Sequence, residues 1–328
     1  MSDLLTVPAA HRDNISAIAD FAEIECLRRN DWSVSINDIV HMIQREADAN
    51  DIQFHTGIEQ YVSDSFGDME LRFRHCGHDG SGYPFELSED GTLLRMRSLG
   101  MPSYAPPVQL YLYLLLITRM DMRTDRVQGG KDATRIFEEL SKEVGVRFLG
   151  GPNGSVRGLV FGTGRRAGML SDEADLSKTA FARRVNSLCQ QLCEGLDFNP
   201  HPNTRLRARD GKLDVVVWRG FTDRRSGQLI AFGQCKTGKH WRDDLTKLQP
   251  EDFCQKWMRK PPAVKPVRLY FISDRVLLSE WYERCVDGGI LFDRCRIVEY
   301  AGDLPPGLLR RIDMWVRAAC KIHELKLP

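Results

Sequence analysis

The chain has 328 residues, 42% of them hydrophobic, which is ordinary for a globular protein and long enough for about two domains built on a real core. Lys and Arg total 46 against 45 Asp and Glu, so the net charge of +1 announces no nucleic-acid partner and any basic surface must be local. The longest apolar run, Val108 to Ile117, is roughly half of what a membrane helix needs and reads as a buried core helix.

The N-terminal stretch MSDLLTVPAAHRDN has no basic segment followed by an apolar core, so no secretory signal is read there. Nine cysteines are scattered without a CxxC pair, and several, such as Cys189, Cys193 and Cys235, sit in apolar runs. They are expected to be reduced, buried thiols of a cytoplasmic protein.

From about Asn14 to Asn50 two helical faces are expected, one formed by Ile15, Ile18, Phe21, Ile24 and Leu27, the other by Ile36, Ile39, Val40 and Ile43. Ser35 and Asp38 offer cap chemistry for the second. Met69 to Arg74 (MELRFR) alternates, and Tyr83 to Arg97 reads as a hairpin turning at Asp90-Gly91. Helices followed by a hairpin allow a winged-helix-like domain over residues 1–128; a partner-docking α+β surface is the other reading. Arg72, Arg74, Arg95 and Arg97 either contact phosphate or solvate the outside of strands. His75-Cys76-Gly77-His78 has no second ligand cluster at zinc-site spacing and reads as a loop.

A Pro-rich break at Met101-Pro102 and Pro106-Pro107, then TDRVQGGKD, separates this part from residues 129–328. There the pattern predicts a helix from about Asp132 to Val146, a Gly-rich stretch, a helix from about Lys178 to Leu196, two strands, a helical run and a strand from Val267 to Ser273. Phe161 to Arg166 (FGTGRR) could hold phosphate, but it fits no Walker A pattern and a surface loop is the default.

The chemistry concentrates in KLDVVVW, a polar turn and QLIAFGQCKTG. With period two, Leu213, Val215 and Val217 face one way and Asp214, Val216 and Trp218 the other, while Gln234 and Lys236 share a face. The turn Arg219 to Gly227 returns the second strand beside the first and brings Asp214 near Gln234 and Lys236. Phosphodiester hydrolysis commonly uses a divalent cation, for which Asp214 offers an anionic oxygen, Gln234 a neutral one and the Cys235 main-chain carbonyl a third. Lys236 then orients or activates water, or stabilises charge on the phosphoryl group.

These residues resemble the PD-(D/E)XK nuclease superfamily, and within it the Mrr-like restriction endonucleases that carry Gln in place of the second acid. The matching residues are Asp214 in DGKLDVVVW, the Gln234-Cys235-Lys236 tripeptide and the upstream Leu196-Asp197-Phe198, spanning roughly residues 180 to 275. The resemblance implies an α/β fold with a restriction-endonuclease-like core, a mixed sheet flanked by helices. It further implies magnesium or manganese as cofactor, DNA as substrate, and a role as effector of a prokaryotic antiviral defence or restriction system. The family often places an acid on its first core helix, where the match puts Asn186; Glu194 falls roughly opposite the core face. Phe137-Glu138-Glu139-Leu140 looks like the family's Phe-Glu opening, so Glu138 or Glu139 becomes a candidate ligand if residues 149 to 180 are an insertion, the other reading being a solvated helix face.

Basic residues surround the motif: Arg205, Arg207 and Lys212 before Asp214, Arg224 and Arg225 in the turn, Lys239 and Arg242 after Lys236. They either neutralise backbone phosphates or form an ordinary solvated surface. Trp218 and Trp241 either stack bases or pack, and His240 ranks second to Lys236 as a base. The leading expectation is a metal-dependent endodeoxyribonuclease gated by a regulatory protein partner, a ligand or homo-oligomerisation; the alternative is an inactive nuclease-fold subunit that binds nucleic acid or assembles a complex.

Overall fold

A computed structural model of the chain describes residues 6–49, 57–77, 80–97, 106–151, 154–161, 173–200 and 212–327. The N-terminal elements run α1 (Ile15–Arg28), β1 (Ser33–Ser35), α2 (Ile36–Ala49), α3 (Ile58–His75), β2 (Phe85–Leu87) and β3 (Leu93–Met96). β3 is the centre of a three-stranded antiparallel sheet, flanked by β1 and β2. As expected, Ser35 and Asp38 cap α2 reciprocally: the Ser35 N–H donates to Asp38 Oδ2 at 2.9 Å and the Asp38 N–H to Ser35 Oγ at 3.1 Å. The hairpin turns where anticipated, with Gly91 at φ +70° supplying the left-handed residue.

Met69 to Arg74 is the last part of α3 and not a strand, because its buried residues Met69 and Arg72 lie three apart on the face already set by Val62, Ser65 and Phe66. Arg72 is likewise no surface cation. It is fully buried, 2.6 Å from Asp20, 2.8 Å from Glu23 and 2.8 Å from Asp68. Arg294, also fully buried, closes the same network on both Asp20 oxygens at 2.8 Å. Tyr111 and Tyr83 donate to Glu23 at 2.9 and 2.8 Å. The two guanidiniums hold the Asp20 carboxyl well below the usual range despite the burial that opposes ionisation.

α4 (Pro106–Arg119) is the anticipated core helix, buried at every position from Leu110 to Arg119. No helix among the described residues is long and apolar enough to cross a membrane. The Gly129-Gly130 segment is a tight hairpin, β4 (Val127–Gln128) and β5 (Lys131–Asp132), with both glycines at positive φ. Asp132 ends it and caps α5 (Ala133–Phe148) by accepting the Thr134 N–H at 3.0 Å.

The rest builds a five-stranded sheet of order β10-β9-β8-β7-β6. Its strands are β6 (Val156–Val160), β7 (Val215–Arg219), β8 (Leu229–Lys236), β9 (Val267–Ile272) and β10 (Ile290–Phe292). β6, β7 and β8 form an antiparallel meander, while β9 and β10 run parallel to β8. α6 (Glu173–Leu192) and α7 (Pro250–Trp257) pack on Val216, Trp218, Ile230 and Phe232. α5 lies on the opposite face, so close that a Cβ on Gly145 would sit 2.8 Å from Val217. α8 (Leu278–Gly288), α9 (Arg294–Ala301) and α10 (Pro306–Ile322) complete the chain.

Four expectations change here. β6 makes residues 156–160 a sheet strand and not part of an insertion. α6 ends at Leu192, so Glu194 follows no helical spacing; it is buried and accepts the Gly227 and Ala263 N–H groups at 3.0 and 2.8 Å. Leu213 joins the Val216 face, because the strand begins only at Val215 and Lys212 has φ +45°. Cys76 and Cys295 form a disulfide, so the cysteines are not all thiols; Cys189 is a buried thiol and Cys193 an exposed one. One apolar core runs from Ile18 to Leu325 across the position where the sequence suggested a boundary.

Candidate functional site

β7 has five residues and β8 eight, with Val215 opposite Gly233, so Gln234, Cys235 and Lys236 extend past the start of β7. A strand that outruns its neighbour leaves backbone donors and acceptors unpaired. Asp214 fills that gap: its N–H donates to the Gly233 carbonyl at 3.0 Å, and its Oδ2 accepts the Cys235 N–H at 2.8 Å. In extended backbone the N–H and C=O of one residue point to the same side, so the Cys235 carbonyl also faces the ground that β7 has vacated. Gly233 has no room for a side chain, since a Cβ there would lie 2.5 Å from Val215 and 3.0 Å from Phe271.

Glu138 approaches from α5. Burial, and next the charge of Asp214, push its carboxyl up to about 7. Burial also raises the Asp214 carboxyl to about 6, against the opposing Cys235 N–H and the Lys236 charge. Two carboxyls that resist ionisation when left without a cation are the donor chemistry that a divalent ion reverses.

Gln234 is 1% exposed and its Oε1 is buried with no hydrogen-bond partner. A buried amide oxygen left unsatisfied costs roughly 1–3 kcal/mol. A bound cation would relieve it. Magnesium or manganese therefore fits the residues present: Glu138 and Asp214 as anionic donors, Gln234 Oε1 and the Cys235 carbonyl as neutral ones.

Lys236 is paired with Asp244, which the sequence did not single out. Asp244 ends a 3-10 turn, His240–Asp244, and also binds Lys247. Burial opposes its ionisation, yet these two ammoniums hold its carboxyl below the usual range. The turn is anchored by Trp241, 1% exposed, whose Nε1–H donates to Asp274 at 2.8 Å and whose carbonyl accepts the Tyr270 hydroxyl at 2.8 Å. Trp241 and Trp218 are thus packing residues and neither is placed to stack a base. His240 is exposed beside them. The only sequence signal for Asp244 was an acid eight positions after Lys236, beyond a Gly238 turn at φ +79°, and spacing alone does not show that the chain folds back.

The basic residues separate by position. Lys212 and Lys239 are exposed on segments adjoining Asp214 and Lys236. Arg242 stands over Trp241 at 4.4 Å and pairs with Glu280 at 3.4 Å, so it is partly committed. Arg224 and Arg225 are exposed in the β7–β8 turn, at the other end of the hairpin. Five extended residues put them about 17 Å from Asp214, so they do not gather at the site. Arg205, Arg207, Arg165 and Arg166 lie outside the described residues. Asn186 at the family's helix-acid position is structural, its Oδ1 accepting the Phe198 N–H at 2.7 Å.

The arrangement can hold a hard cation between two carboxylates and place an ammonium beside it, the equipment for polarising a phosphoryl group and its attacking water. Compared with protein-family models, with curated proteins and with solved structures, the chain matches none.

Proposed function

We propose that the chain is a divalent-metal-dependent endodeoxyribonuclease with a PD-(D/E)XK-type site. One observation carries this: Asp214, Gln234, Cys235 and Lys236 lie together at the overhanging end of one hairpin, with Glu138 near enough to Asp214 and Cys235 for their charges to interact and the Gln234 Oε1 left unsatisfied. A plain cross-strand ion pair would require neither a buried amide nor a second carboxyl. The mixed sheet with helices on both faces supports the same reading. So does Glu138, which sits on the helix before the meander. The N-terminal order of helix, strand, two helices and hairpin supports a winged-helix-like unit ahead of the nuclease core.

In this reading Glu138, Asp214, Gln234 and the Cys235 carbonyl hold magnesium or manganese, which when bound neutralises phosphoryl charge and acidifies water. Lys236 is held in an ion pair with Asp244. In this reading it serves as a positive charge beside the scissile phosphate. Lys212 and Lys239 contact backbone phosphates without reading sequence. The substrate, DNA, and the setting in prokaryotic antiviral defence follow from the family resemblance.

The test is cleavage of supercoiled and linear DNA by the full chain with magnesium, manganese or EDTA, beside Asp214→Ala and Lys236→Ala. Metal-dependent cutting lost in both variants supports the assignment. DNA binding with no cutting under any metal returns the alternative of a nuclease-fold binding subunit.

A further inference from the structure

A pocket of about 550 Å³ lies between α3 and the segment running from the end of β9 through α8 to α9. That size is within the roughly 300–1,000 Å³ that suits a small organic ligand. Its deepest residues are built into the fold: Arg275 is 6% exposed, Val276 and Asp293 are not exposed, and Cys295 is tied to Cys76 by the disulfide. Arg74 and His75 from α3 form an exposed rim on one side, and Trp281 and Arg296 the opposite wall.

The polar groups here favour an anion. Three guanidiniums and an imidazole line the space against two carboxyls, Asp293 and Glu299. Asp293 is already used: it accepts Arg275 at 2.5 Å and caps α9 through the Arg296 N–H at 3.1 Å. The Arg275 Nε–H is buried and makes no hydrogen bond, with Asp68 Oδ1 3.8 Å away and out of reach. The Arg296 guanidinium lies over the Trp281 ring at 4.3 Å, while one of its nitrogens is fixed by the Leu291 carbonyl at 2.9 Å. A planar cation stacked on an indole is a surface for a phosphate with an adjoining flat ring. Among the described residues Arg74 pairs with Glu70 in an exposed i,i+4 contact, which a phosphate would readily displace.

The same elements reach the candidate site. α8 presents Trp281 to the pocket, and its Glu280 binds Arg242 in the turn that carries Asp244. Trp281 and Cys285 pack on the cluster containing Trp241 and Leu245. Asp244 then holds Lys236. A ligand that binds one position of α8 better than another shifts that turn by its differential affinity.

We propose that this pocket binds a small phosphate-bearing ligand of the nucleotide class, and that its occupancy adjusts the Lys236–Asp244 pair. The binding half stands by itself; the regulatory half rests on the nuclease reading. The experiment titrates the full chain in EDTA with ATP, pyrophosphate and adenosine by calorimetry, beside Arg74→Gln/Arg296→Gln and Lys236→Ala. ATP and pyrophosphate are expected to bind and adenosine not to. The Arg74→Gln/Arg296→Gln chain, its fold checked by circular dichroism, should bind at least about tenfold more weakly, and Lys236→Ala should keep binding, its affinity changed by no more than the coupling to the Lys236–Asp244 pair.

Absence of ATP and pyrophosphate binding at millimolar concentration, unchanged affinity in the double variant, or loss of binding in Lys236→Ala overturns the pocket assignment. Cleavage is then compared with and without ATP at fixed free magnesium. A change of rate seen in the wild type and absent from the double variant supports the regulatory half, and an equal rate despite proven binding removes it. Binding without any DNA cleavage leaves the pocket standing and removes the nuclease instead.

Discussion

Glu138→Gln should make the metal-free protein more stable, and only above acid pH. The folded-state carboxyl is raised from 4.5 to about 7, so Glu138 favours the folded state fully below its unfolded pKa, and that contribution is lost as pH rises through the folded value. At 1.36 kcal/mol per unit this amounts to about 3 kcal/mol by pH 8, an upper bound because solvent screens the half-buried carboxyl. With an unfolding entropy of roughly 2.1 cal/mol/K per residue over 328 residues, that is a midpoint rise of about 4 °C. The assay is thermal unfolding in EDTA at pH 4 and pH 8 for the wild type and Glu138→Gln. Glutamine keeps the shape and removes the charge, so the gain should be near zero at pH 4 and largest at pH 8. In an Asp214→Asn background the gain should shrink, since part of the shift comes from the Asp214 charge. Manganese should reverse the order at pH 8 by stabilising the wild type more than the variant. Equal effects at the two pH values, or a loss of stability at pH 8, would refute the raised Glu138 carboxyl, and an undiminished gain in the Asp214→Asn background would refute its placement beside Asp214.

Asp20→Asn leaves Arg72 and Arg294 buried beside a neutral amide, and should cost about 3–5 kcal/mol in urea unfolding. Gly233→Ala must push Val215 or Phe271 aside, costing about 1–3 kcal/mol and lowering cleavage more than substitution of an exposed residue such as Leu229, as measured by unfolding and plasmid nicking. Lys212→Ala and Lys239→Ala should each reduce the salt dependence of DNA affinity by a slope of about 1, whereas Arg224→Ala/Arg225→Ala should change it far less; fluorescence anisotropy against salt concentration separates them.

Much of the architecture was legible because it rests on local rules. The capping box at Ser35 and Asp38, the turn at Gly91, the unbroken apolar run of α4 and the β7–β8 hairpin each follow from a few neighbouring residues. What escaped depended on partners far away in sequence. Arg72 reads as a surface cation until Asp20, Glu23 and Arg294 are brought around it, across up to 274 residues in one of these contacts. Met69 to Arg74 alternates in polarity and is helical because that buried guanidinium occupies a core position. β6 is short and contains Gly158, which hides a strand from any propensity argument; its glycine is needed where a Cβ would meet Val146 at 2.8 Å.

The candidate site shows the same division within a few residues. Asp214, Gln234 and Lys236 were visible because two strands joined by one turn carry them, and period-two reasoning brings their ends together. Their electrostatics were not visible, since these come from α5 on one side and the 3-10 turn on the other. The turn supplies Asp244 as the ion-pair partner of Lys236, and burial makes Glu138 and Asp214 the carboxyls reluctant to ionise. In the proposed reading, a divalent cation held by Asp214 and Glu138 would favour the anionic state of both carboxyls, and one reached by the Gln234 oxygen would satisfy it.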